Sequence, residues 1–67
     1  MQKHTFSNGG FVIHKIRIEP FAGKFSAWFD ADGKFIDAEQ IDALNRSRRV
    51  TLSQIERLRL IGRIWAH

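Results

Sequence analysis

Six of the eight aromatic rings in this 67-residue chain fall between Phe11 and Phe35, in a stretch that alternates apolar and polar residues as a small sheet does. A sheet has two faces, and the chain holds one helix-sized segment with which to cover them. This shortage of cover limits the fold more than any other feature. Rings on both faces leave one set facing solvent or a partner. At this length folding buries about 60% of the unfolded chain's surface, so one small domain is all the chain can build.

The strand pattern is read from turn residues and β-branched runs. Ser7-Asn8-Gly9-Gly10 closes an N-terminal arm, 1–10. Phe11 to Glu19 is a strand ended by Pro20, which cannot donate to a ladder. Lys24 to Phe29 is a second strand. Asp30-Ala31-Asp32-Gly33 predicts a type I turn followed by a left-handed glycine, and Lys34 to Ala38 returns as the third strand. Residues 39–50 read as a short helix, or as the end of the strand and a loop, followed by the charged linker Arg46-Ser47-Arg48-Arg49.

The clearest helix is 51–66. Thr51/Gln54 and Ser53/Glu56 both match a capping box, and Ile55, Leu58, Ile61, Gly62 and Trp65 make one apolar stripe that Leu60 and Ile64 widen. Gly62 in mid-helix predicts close approach to the sheet. The fold expected over residues 1–67 is therefore α+β: a three-stranded antiparallel β-sheet, 11–38, packed against one C-terminal α-helix.

Side chains alternate across a strand, so parity sorts them between faces. Val12, His14, Ile16 and Ile18 are expected beneath the helix. The expected core is Val12, Ile16, Ile18, Phe25, Phe29, Ile36, Ile55, Leu58, Ile61 and Trp65. The uncovered face should then carry Phe11, Ile13, Trp28 and Phe35 with Lys15, Arg17, Lys24 and Lys34 around them. Rings ringed by cations suit stacking on unpaired bases and contact with phosphates. Phe11, Trp28 and Phe35 are the expected interaction face.

The chain carries a net charge of +4, which favours polyanions. Its strongest electrostatic feature is the arginine series Arg46, Arg48 and Arg49, continued by Arg57, Arg59 and Arg63. The planar guanidinium suits phosphate and carboxylate alike. Arg46, Arg48, Arg49, Arg59, Arg63, Lys15, Arg17, Lys24 and Lys34 are the candidate nucleic-acid contacts.

Enzymatic chemistry finds little support. The absence of cysteine excludes disulfides, thiolate metal sites and thiol nucleophiles. His4, His14 and His67 lack metal-ligand spacing, so no metal and no cofactor is expected. Asp30-x-Asp32-Gly33 overlays part of a calcium loop but puts Trp28 where the first aspartate belongs. No apolar run approaches the ~20 residues that cross a bilayer, and no signal peptide is visible. A soluble, cytoplasmic protein is expected.

The stretch Gly23-Lys24-Phe25-Ser26-Ala27-Trp28-Phe29-Asp30-Ala31-Asp32-Gly33-Lys34, continued by Asp37-Ala38-Glu39-Gln40, resembles a segment of the KfrB-type accessory proteins of bacterial plasmids. The resemblance covers about a quarter of the chain and implies an origin on a bacterial mobile element, plasmid or phage. Small proteins of that origin bind nucleic acid, or bind and disable a host protein as anti-CRISPR proteins do. Two readings follow: a non-enzymatic nucleic-acid-binding protein, or a protein-binding inhibitor or homodimerising module using the same face.

Overall fold

One turn, used three times, organises the sheet. In Phe6–Gly10, Asp30–Lys34 and Asp42–Arg46 the first residue's N–H donates to the fifth residue's carbonyl, at 2.7, 2.9 and 3.1 Å. The fourth residue's N–H donates back to the first residue's carbonyl, at 2.9–3.0 Å. Closing the loop this way forces the fourth residue to positive φ, and the chain places Gly9 (89°), Gly33 (83°) and Asn45 (64°) there.

The computed structural model describes residues 1–66; His67 lies outside the described residues. The turns link β1 (Gln2–Thr5) to β2 (Phe11–Ile16), β3 (Lys24–Phe29) to β4 (Phe35–Ile41), and β4 to β5 (Ser47–Arg48). A longer connection through Pro20 joins β2 to β3. The sheet is antiparallel in the order β1-β2-β3-β4-β5 and is followed by the helix α1, Leu52–Trp65. The α+β class and the C-terminal helix agree with the sequence reading, but the sheet has five strands, not three. The expected N-terminal arm is an edge strand. Residues 39–50 hold no helix: β4 runs on to Ile41, and part of the charged linker pairs back as β5.

Two bulges rearrange the faces. Ile13 pairs with Ala27, yet Ile16 pairs with Phe25, so β2 carries one residue more than β3 between those points. Lys15, at φ 59°, takes up the difference. Parity therefore reverses within β2: Phe11 and Ile13 before the bulge share the helix side with Ile16 and Ile18 after it. These four, with Phe25, Ala27, Phe29 and Leu58, form the buried core.

The expected assignment of Phe11 and Ile13 to the open face is thus overturned. Val12, although buried, lies on the opposite side between its cross-strand partners His4 and Trp28. His14 is half-buried on that side too. The second bulge is Ile36, inserted between the pairs Trp28–Asp37 and Phe29–Phe35. It leaves Phe35 on the helix side and Ile36, an expected core residue, 63% exposed.

The helix starts where the sequence places it. The Gln54 N–H donates to Thr51 Oγ1 (3.3 Å) and the Thr51 N–H donates to Gln54 Oε1 (2.9 Å), completing the capping box. Leu58 and Gly62 are buried, while Ile55, Ile61 and Trp65 are half-buried. Leu60 and Ile64 do not widen the buried stripe; they point outward, 59% and 72% exposed. At the other end of the helix Lys3 Nζ donates to the Trp65 carbonyl (2.6 Å) and lies over the Phe11 ring, tying β1 to the last turn.

Candidate functional site

Helix and sheet approach closely at two glycines. A Cβ on Gly62 would run into the Phe29 ring and come within 2.7 Å of the Gly33 carbonyl oxygen. A Cβ on Gly33 would lie 2.6 Å from both the Ala66 Cβ and the Gly62 carbonyl oxygen. With neither side chain present, the C-terminal half of α1 rests on the β3–β4 turn. Close approach at Gly62 is what the sequence led one to expect.

This packing brings four candidate residues together. Arg59 and Arg63 stand one helical turn apart, about 6 Å along the axis. The hairpin supplies Lys34 and Phe35 beside them. Gly33, Lys34, Phe35, Arg59 and Arg63 line a hollow of about 250 Å³. Phe35 is half-buried and holds its position edge-on to Phe29, with centroids 6.2 Å apart at 75°. Lys34 is set by its turn, since its N–H donates to Asp30 Oδ1 at 2.9 Å.

Among the described residues no carboxylate lines the hollow, and Lys34, Arg59 and Arg63 form no ion pair. Two guanidinium forks and one ammonium, in no ion pair among the described residues and beside a ring, form a cationic donor set. They suit a phosphate carrying an adjacent flat group.

The other arginines are placed differently. Asp42 Oδ2 lies 2.7 Å from Arg48 Nε and 3.4 Å from Arg46 Nε, while Asp42 Oδ1 accepts from the Leu44 and Arg46 N–H groups. The Arg48 side-chain hydrogen bond, followed by the amide bonds of the turn, holds the Asp42 carboxyl below its ordinary value of 3.8. Arg49 is exposed between β5 and α1. Arg57 donates to the Glu19 carbonyl and lies over the Phe21 ring, 5.7 Å from its centroid, fastening the β2–β3 connection to the helix. Arg17 is exposed beyond the end of β2.

Two further hollows border the sheet face that α1 leaves open. One, near 340 Å³, includes Phe6, Trp28 and Ile36, but Asp30 and Asp32 also line it, which disfavours a phosphate. The other, near 420 Å³, includes Lys15, Lys24, His14, Ser26 and Ile41, and has no guanidinium. The expected interaction face is therefore divided: Phe11 is buried in the core, Phe35 belongs to the arginine hollow, and Trp28 alone of the three lies on the open face.

His14 Nδ1 and Ser26 Oγ stand 2.9 Å apart on that face. The imidazole meets the Trp28 ring edge-on at 6.2 Å. In a nucleophile–base pair a third group orients the base, and among the described residues His14 has no side-chain hydrogen bond besides that to Ser26. The bond satisfies two half-buried polar side chains.

The sequence reading missed that Asp42 ties up Arg46 and Arg48, whereas Lys34, Arg59 and Arg63 form no ion pair among the described residues. The signal was present in Asp42-Ala43-Leu44-Asn45-Arg46, which repeats the Asp-Ala-x-turn residue-cation order of Asp30–Lys34. No family model, curated protein or solved structure matches the chain.

Proposed function

We propose that this protein is a non-enzymatic nucleic-acid-binding protein, and that it grips backbone phosphate at the hollow formed by Lys34, Arg59 and Arg63, with Phe35 beside the bound phosphate to meet a base. One observation carries the reading. Three cations from two elements converge on a single concavity that no carboxylate of the described residues lines, beside the close packing of Gly33 on Gly62. The basic balance of the whole chain supports it by raising encounter rates. A bacterial mobile-element origin belongs to the same proposal and rests on the Gly23–Gln40 resemblance.

The test is binding of a labelled single-stranded oligonucleotide across a salt series. Three phosphate contacts on a single strand give a log–log slope of about −2, from roughly −0.7 per contact. The triple variant Lys34→Gln/Arg59→Gln/Arg63→Gln should lose most of the affinity and of the slope. Absence of binding by the wild-type protein at low salt rejects the reading.

A second reading, a protein-binding inhibitor or homodimerising module, is favoured by Phe6 and Ile36, 40% and 63% exposed beside Trp28. It requires a defined dimer or a single captured protein, with no salt-sensitive shift of the oligonucleotide. Sedimentation with and without nucleic acid separates the two.

A further inference from the structure

We infer, resting on the nucleic-acid reading above, that the hollow recognises a terminal phosphate monoester at the end of a strand rather than the phosphodiesters along it. The distribution of charge decides between these ligands. A protein that follows a single strand needs a basic groove with rings spaced along it. Here the cations do not form such a track. Arg46 and Arg48 share the Asp42 carboxylate, Arg57 is spent on the Glu19 carbonyl and Phe21, and Lys15 and Lys24 line a hollow with the open-face residues His14 and Ser26.

Arg17 and Arg49 are exposed singly, on separate segments. The densest grouping is a point site, with three positive groups around about 250 Å³ and one ring at its wall. A phosphodiester brings a single negative charge to such a site. A monoester brings about −1.5 to −2 at neutral pH and three terminal oxygens. Two guanidinium forks and an ammonium match the second ligand in charge and in number of acceptors. Phe35, half-buried and held by Phe29, is placed for the terminal base, the one base in a strand with a free outer face.

The test compares oligonucleotides of one sequence bearing a 5′-phosphate, a 3′-phosphate or hydroxyl ends, with a nucleoside monophosphate as a fourth ligand. A single additional charge-assisted hydrogen bond predicts a preference of roughly tenfold or more for a phosphorylated end. Lys34→Gln/Arg63→Gln, at two exposed positions, should bring that preference close to one while leaving the circular dichroism spectrum unchanged. Equal affinity for phosphorylated and hydroxyl ends overturns this inference and leaves the phosphate-grip reading standing. A monophosphate that binds as tightly as the phosphorylated strand overturns the strand-end assignment. A wild-type protein that binds no oligonucleotide at low salt overturns both.

Discussion

The turns Asp30–Lys34 and Asp42–Arg46 share a backbone and differ in what they do with charge. In each, an aspartate Oδ1 accepts two turn N–H groups at 2.9 Å, and the fourth residue adopts positive φ. In the first, that residue is Gly33, whose missing side chain lets α1 come down on the turn and deliver Arg59 and Arg63 to Lys34. In the second it is Asn45, exposed, and Asp42 keeps its other oxygen for Arg46 and Arg48. One turn gathers free cations; the other neutralises its own. Local backbone geometry alone does not make a binding site. The residue at the left-handed position and the second oxygen of the aspartate decide it.

Exchanging the left-handed residues tests this difference most severely. Gly33→Asn keeps a side chain tolerated at positive φ, but its Cβ meets the helix backbone at Gly62, and the overpacking should cost roughly 1–3 kcal/mol in denaturant unfolding. Asn45→Gly should stay within about 0.5 kcal/mol of wild type, because the Asn45 side chain is exposed. Equal effects would mean that the helix does not lean on Gly33. Next in size is Gly62→Ala. Helix propensity alone favours alanine by ~1 kcal/mol, yet the new methyl has the buried Phe29 ring and the Gly33 carbonyl in its way, so the net effect should be a loss of stability. An increase in stability would refute the close approach.

Asp42→Ala sharpens the comparison from the other side. Releasing Arg46 and Arg48 should steepen the salt dependence of oligonucleotide binding by up to about 1.4, two contacts at roughly 0.7 each, whereas Asp30→Ala releases no arginine and should not. An unchanged slope in Asp42→Ala would show that the tied arginines were already available. The smallest effect concerns pH. Because the folded Asp42 carboxyl lies below 3.8, its contribution to stability is complete above that value and fades as pH falls through the lowered one. Asp42→Asn should therefore be less stable than wild type near pH 6, with the gap closing in strong acid. A gap constant with pH would contradict the assignment.

The helix and the first acidic turn were legible because their signals are local: Thr51 with Gln54, and Asp30 with Gly33. The second turn was hidden by Asn45 standing where glycine would have announced the bend, and by Ile41 and Leu44, whose spacing also suits a helix. Strand β1 could not be seen, since Gln2–Thr5 is polar and exposed along its length and depends on pairing with β2 and on the hydrogen bond from Lys3 to Trp65. Parity misassigns the faces because Lys15 and Ile36 are ordinary residues at bulges, where no glycine marks the change. Four members of the site, Lys34, Phe35, Arg59 and Arg63, were among the candidates, but their convergence depends on tertiary packing between two glycines 29 positions apart.

Two variants of equal net charge give the most direct test of that convergence: Lys34→Gln/Arg59→Gln/Arg63→Gln and Arg46→Gln/Arg48→Gln/Arg49→Gln. Each removes three positive charges, so a difference in oligonucleotide affinity at low salt reports location alone. The structure predicts that the first loses most of the binding while the second keeps most of it. Equal losses would contradict the account, leaving net charge as the whole of the attraction.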